Sequence, residues 1–212
     1  MTPKQTKYDK SGAYVVEALK KRYFDAYYCS TKEQAVEQLL TLIPNSDVVS
    51  WGGSESLQTL GILERLKKDG YSVIDRDTAA SPEEREKLMR SALTCDTFIT
   101  SSNALTQDGQ LFNIDGNGNR VAAMIYGPKS VVVIAGMNKV VKTIDDAISR
   151  VRNIAAPMNA QRFEGIKTPC AKTGQCSDCT SPDCICAYLV TTRISRPAGK
   201  IKVILVGEDF GM

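Results

Sequence analysis

The chain has 212 residues, 42% hydrophobic and 24% charged, with 27 Lys and Arg against 24 Asp and Glu. That is an ordinary globular composition, and a net charge of +3 is too small to point to nucleic acid. Histidine is absent, which excludes Ser-His-Asp and Cys-His pairs, three-histidine zinc hydrolases and His-Glu-x-x-His peptidases. No apolar run approaches the roughly 18 residues needed to span a bilayer. Met1-Thr2-Pro3-Lys4-Gln5 has no apolar stretch of the signal-peptide kind, so a cytoplasmic location with reduced thiols is expected.

In chain order, residues 6–23 read as a helix with Val15, Val16 and Leu19 on one side, and residues 24–29 as a short strand. A second helix covers 31–43, and 47–51 is a strand running into Gly52-Gly53-Ser54. A helix over 55–68 stops at Asp69-Gly70, and 71–75 is the next strand. Ser81-Pro82 opens another helix, followed by a strand at 97–100. This alternation predicts an α/β fold, with a mainly parallel sheet covered by helices on both faces. Residues 103–136 read as a β-rich middle segment, with hairpin signals at Asp108-Gly109 and Asn117-Gly118, a turn at Gly127-Pro128, and strands at 121–125 and 131–135. Asn138 is the expected N-cap of a helix carrying Val140, Val141, Ile144 and Ile148. Two final strands, 188–194 and 201–206, are separated by the turn at 196–199.

A strand that ends in two glycines before a helix is a geometry that brings backbone N–H groups to an anion, although a ligand-free tight turn reads the same way. Glu55 is either a base beside that anion or an acid complementing the helix dipole. Asn103, Asn113, Asn119, Arg120, Asn138 and Lys139 lie at strand ends and turns. They are turn formers, or polar groups converging on one pocket at the ends of the strands.

Five of the seven cysteines lie between Cys170 and Cys186. Cys176 and Cys179 have the Cys-x-x-Cys spacing that lets two thiolates reach one metal from a tight turn. Cys170 and Cys186 flank them, and Cys184 is left over. Four thiolates suit zinc or an iron–sulfur cluster. Disulfides and clustered free thiols are the alternatives. The segment has little apolar core, so a metal would supply its folding energy.

Ser102-Asn103-Ala104-Leu105-Thr106-Gln107-Asp108-Gly109, then residues 113–122, Tyr126-Gly127-Pro128 and residues 135–141 together resemble the lactate-utilisation (LUD) domain family. Trp51-Gly52-Gly53-Ser54 fits its glycine turn. The resemblance covers nearly the whole chain, read as one LUD-type α/β domain over 1–212 with a cysteine-rich loop at 162–187. It implies a fold akin to the sugar-phosphate isomerase and CoA-transferase superfamily, and a part in the oxidation of lactate or a related 2-hydroxy acid. The role implied is that of an accessory or electron-transfer subunit. A subgroup with such a cysteine segment implies Cys170, Cys176, Cys179 and Cys186 as ligands of an iron–sulfur cluster or zinc, with Cys184 where a basic residue is commoner. A second reading is a CoA-transferase- or isomerase-like enzyme with Glu55 or Lys139 catalytic. Its anionic substrate would be held among Gly52, Gly53, Ser54, Asn103, Asn113, Gly127 and Asn138. A third is a thiol-based redox sensor or interaction protein. The partners expected are a small anionic metabolite, iron–sulfur oxidoreductase subunits and further copies of the chain, with neither nucleic acid nor membrane.

Overall fold

The β-branched run Val131-Val132-Val133-Ile134 forms an inner strand of the larger of two sheets. The computed structural model describes residues 2–212. In chain order these are α1 (Pro3–Lys20), β1 (Asp25–Cys29), α2 (Lys32–Thr41), β2 (Val48–Trp51), α3 (Glu55–Thr59), α4 (Ile62–Lys68), β3 (Ser72–Ile74), α5 (Pro82–Ser91), β4 (Thr97–Thr100), β5 (Ala104–Thr106), β6 (Leu111–Asp115), α6 (Asn119–Ile125), β7 (Ser130–Gly136), β8 (Val140–Val141), α7 (Ile144–Arg150), α8 (Ala156–Ala160), α9 (Pro169–Thr173), β9 (Tyr188–Thr192) and β10 (Ile201–Val206). Strands β1-β10-β7-β4-β2-β3 form an all-parallel sheet, and β8-β5-β6-β9 a smaller mixed one. The α/β architecture expected from the alternating pattern is present.

Both faces of the parallel sheet are buried, because alternate residues of each strand point to opposite layers. Val131, Val133 and Ala135 pack with Val15, Val16 and Leu19 of α1 and with Ala123 and Met124 of α6. Val132 and Ile134 pack with Ala35 and Leu39 of α2, Leu57 of α3, and Ile62 and Leu66 of α4. Each Val, Leu, Ile or Met among them contributes roughly 1.5–3 kcal/mol through burial. A third cluster, Phe112, Ile114, Ala147, Val151 and Ala155, sits beneath the small sheet. Among the described residues no helix is long and apolar enough to cross a membrane.

Several expected elements differ. Residues 121–125 are helical in α6 rather than a strand, so the middle segment is less β-rich than expected. A short apolar run has no decisive period, and Ala122-Ala123-Met124 favours helix once Gly118 has turned the chain. Asn117-Gly118 therefore leads into a helix, whereas Asp108-Gly109 does join the antiparallel pair β5–β6. The helix expected over 55–68 is broken into α3 and α4 at Gly61, which adopts a left-handed φ of 62°. Asn138 caps no helix: Val140-Val141 pairs with β5 as β8, and α7 starts from Thr143, which forms a capping box with Asp146. The final two strands are not neighbours, since β9 pairs with β6 and β10 lies between β1 and β7.

Candidate functional site

The carboxyl ends of the parallel strands are where an open α/β sheet forms a crevice. Here β2 runs into Gly52-Gly53-Ser54, β3 into a turn at Arg76–Thr78, β4 into Ser101-Ser102-Asn103, and β7 into the turn Met137–Lys139. These segments bound a cleft of about 730 Å³. Gly53, Ser54, Glu55, Asn103 and Lys139 line it together, with Ser56, Ser101, Arg76, Arg85 and Arg162.

Lys139 is 3% exposed. Its Nζ donates to Ser56 Oγ at 2.9 Å and to Ser101 Oγ at 3.1 Å. Burial, reinforced by repulsion from Arg150 and Arg120 and opposed by Glu55, brings the amine down to about 7. Arg150 also fixes the lysine's setting: its guanidinium donates to the carbonyls of Asn103 (2.6 Å) and Asn138 (3.2 Å).

Arg120 is the opposite case, a buried cation with its donors taken up. It donates to Ser101 O (3.1 Å), Asn113 Oδ1 (2.7 Å), Asn103 Oδ1 (2.8 Å) and Ile114 O (2.7 Å), with Asp115 at 3.7 Å. Burial works against its charge and Asp115 supports it. A Cβ on Gly52 would lie 2.9 Å from Arg120 Cδ, so the glycine makes room for this side chain.

Arg76 is different again. Its side chain is 16% exposed, its nearest carboxylate is Asp77 at 3.9 Å, and its buried Nε has no hydrogen-bond partner among the described residues. Burial pulls its pKa down. It lies across Gly53, where any Cβ would collide with Nη2.

Four candidates from the sequence do not line the cleft. Gly52 and Asn113 stand behind it, shaping the seat of Arg120. Asn138 bonds the backbone of Phe210, which holds the last residues against the lysine turn. Gly127 packs against the Ala123 backbone after α6. Ser56, Ser101, Arg76, Arg85 and Arg162 had no sequence signal beyond their places near strand ends.

Cys170, Cys176, Cys179, Cys184 and Cys186 all line a second cavity of about 50 Å³. All are free thiols. Among the described residues no three or more of His, Cys, Asp and Glu are arranged to hold one ion, while the Cys184 thiol lies within hydrogen-bond reach of those of Cys179 and Cys186. Backbone N–H groups of Asp178 and Cys186 approach the sulfurs of Cys176 and Cys184 at 3.4 Å each. Burial pushes Cys186 up to about 12. As a donor set, five thiols fit a soft metal, and residues 174–187, free of helix and strand, leave the loop room to close on one. Ile114, Cys184 and Ile185 line both cavities, so the thiol ring shares a wall with the cleft.

The LUD domain model matches residues 13–206. The chain belongs to the LUD domain family. Membership relates it to lactate utilisation at the level of the family. A DUF162 family protein from Deinococcus radiodurans shares the fold of this LUD domain, with a TM-score of 0.54 at 12% identity over 95% of this chain and 98% of its own. Looser likenesses include the tetrameric eIF2B-beta2-delta2 complex from C. thermophilum (TM-score 0.42, 14% identity, 86% of this chain and 56% of that one). Another is ribose 5 phosphate isomerase A from Neisseria gonorrhoeae (TM-score 0.34, 16% identity, 64% and 68%). No curated protein matches this LUD domain in sequence.

Proposed function

We propose that the cleft receives a small anionic metabolite, lactate or a related 2-hydroxy or 2-oxo acid, and that Lys139 moves a proton on it. The observation that carries this reading is Arg76, a largely buried guanidinium in the cleft wall whose Nε has no partner. A buried donor without an acceptor costs about 1–3 kcal/mol, and a carboxylate answers it with two oxygens. Lys139 supplies the second requirement. An amine brought down to about 7 is part neutral at physiological pH, so it can take a proton from a hydroxyl and return it. Glu55 lines the same cleft and favours the protonated amine, which makes it the second acid–base candidate.

Titration calorimetry tests this with lactate, pyruvate and the neutral analogue lactamide. The acids should bind and lactamide should not, and Arg76→Met should weaken acid binding at least about tenfold, the ~1.4 kcal/mol of one charge-assisted bond. Equal binding of lactate and lactamide, or an unaffected Arg76→Met variant, would sink the reading.

A second reading concerns the thiol ring, and is favoured by five cysteines facing one small cavity beside the cleft. Here Cys170, Cys176, Cys179 and Cys186 would hold an iron–sulfur cluster or zinc, with Cys184 as the remaining thiol. A bound cluster supplies one-electron transfer and would make the chain an electron-transfer subunit, working beside iron–sulfur oxidoreductase partners; zinc would only cross-link the loop. Anaerobic purification followed by metal analysis decides it. Iron with visible charge-transfer absorbance supports the cluster, and stoichiometric zinc without colour supports the cross-link. Protein free of both metals, with its thiols all titratable, overturns the second reading.

A further inference from the structure

The two serines that hold Lys139 are not equivalent. Ser101 Oγ accepts from the amine at 3.1 Å and directs its own proton at the Ser102 carbonyl, 3.4 Å away. Ser56 Oγ accepts at 2.9 Å and has no other hydrogen-bond partner among the described residues. A serine hydroxyl has one proton to donate, and the only group within reach of Ser56's is the lysine nitrogen. When that nitrogen is neutral the bond reverses, and Ser56 Oγ–H donates to the lone pair. Both serines line the cleft, and Ser56 is only 2% exposed, so any reagent must arrive through the cleft. Ser101 holds the amine from the other side, and Gly211 packs close against the pair, where any Cβ would collide with Ser56 Oγ.

We propose that Ser56 is a nucleophile activated by Lys139, and that the cleft carries an acyl-transfer activity towards esters or thioesters of an anionic acid. The neutral Nζ takes the hydroxyl proton as the Oγ–carbon bond forms at the acyl carbonyl. The bond from that carbon to the leaving alcohol or thiol breaks, and the leaving group departs with the proton from Nζ. The acyl-serine is then resolved by water or an acceptor thiol, which loses its proton to Nζ as it attacks. Ser56 Oγ recovers that proton as the acyl group leaves. No electrons change hands. A hydroxyl is a weak nucleophile until a base is within hydrogen-bond reach, and a lysine in a desolvated pocket is such a base. Arg76, in the same cleft, selects for the negative charge on the acid. This assignment rests on the cleft being the anion site proposed above.

Labelling of the intact protein with a fluorophosphonate, read by peptide mass spectrometry, tests it. Wild-type protein should be labelled at Ser56. Ser56→Ala should abolish the label, Lys139→Met should slow it at least a hundredfold, and Ser101→Ala should slow it while leaving Ser56 the site. The wild-type rate should climb as pH rises through about 7, the range to which burial, Arg150 and Arg120 bring the amine against Glu55. Label on another residue, or a Lys139→Met rate equal to wild type, overturns the proposal, as does a Ser56 left unmodified in protein that binds lactate through Arg76. That last outcome leaves the anion site standing, whereas Ser56 labelling without acid binding would remove the anion site and keep the nucleophile. Circular dichroism melts of each variant separate a lost label from a lost fold.

Discussion

Lys139→Met should raise the unfolding free energy at pH 7 by about 2 kcal/mol and remove the proton transfer proposed for the cleft. The lysine is taken from its ordinary 10.5 to about 7, which makes its charged form cost on the order of 4 kcal/mol inside the protein. Methionine fills similar volume with no charge to desolvate. The loss of the bonds to Ser56 and Ser101 offsets part of the gain. The pH dependence separates this from a packing effect. Between about 7 and 10.5 the unfolded chain holds a proton that the folded one has released, so stability rises with pH, by at most about 1.4 kcal/mol per pH unit. Below about 7 both states hold it and the slope vanishes. The thiols Cys95 and Cys186, each raised to about 12 by desolvation, act in the opposite direction once unfolded thiols begin to ionise, as do Cys29 and Cys184, also raised. Urea melts of wild type and Lys139→Met compared from pH 7 to about 8.5 therefore isolate the lysine, because the thiols contribute equally to both and cancel in the difference. Wild type should gain stability relative to Lys139→Met across that range; a difference that does not change with pH would refute the depressed amine.

Arg120→Met should do the reverse and destabilise the protein by about 3–5 kcal/mol, the range for breaking one side of a buried ion pair. The two cations differ in what their removal leaves behind. Lys139 leaves Ser101 still donating to the Ser102 carbonyl, and only the Ser56 hydroxyl loses its one partner. Arg120 leaves Asp115 without its nearby cation and takes one donor from each of four oxygens, of which Ser101 O, Asn113 Oδ1 and Asn103 Oδ1 keep only the bonds from Thr100 Oγ1, Asn103 N and Ile114 N. Arg120→Lys should recover little, because one ammonium cannot reproduce a planar fork reaching four acceptors. Those acceptors lie on the exits of β4 and on β6, so the guanidinium clamps the parallel sheet to the small one beside the cleft. Chemical denaturation of both variants measures the effect. A loss under about 1 kcal/mol in Arg120→Met, a surface-like value, would show that the clamp does not bear the load argued here.

The parallel sheet was legible because its strands are apolar runs separated by helices with recognisable caps. Gly52-Gly53 and Lys139 were legible for a related reason: both follow strands at the end where such sheets form their crevice. Asn103 and Asn113 read as ligand groups, yet their amide oxygens accept from Arg120, and sequence cannot say which partner claims an amide. Ser56 and Ser101 are ordinary serines until the lysine turn, 83 and 38 residues further on, is folded against them. Arg76 carries no motif; only burial without a partner distinguishes it. The helix at 119–125 was missed because five apolar residues fit either period, and the choice is made by packing against Phe98 and Val133 in the shared core.

The position of β10 has a consequence for how the molecule assembles. It is the last of the ten strands among the described residues, yet it lies between β1 and β7, with Asp25 paired to Lys202 and Val131 to Ile201. Among the described residues β1 pairs with no other strand, and α1 and α2 pack on a surface that β10 completes. During synthesis the first strand must therefore wait, its backbone unpaired, for a segment some 175 residues later. Contacts of such long range make folding slow, since the entropy of closing the loop is lost before the pairing rewards it. Without β10, the pairs β7–β4, β4–β2 and β2–β3 leave β7 with an open edge. Joining that edge to β1 is then the late step, and it also brings Phe210 and Gly211 onto the lysine turn. The site is finished only when the sheet is.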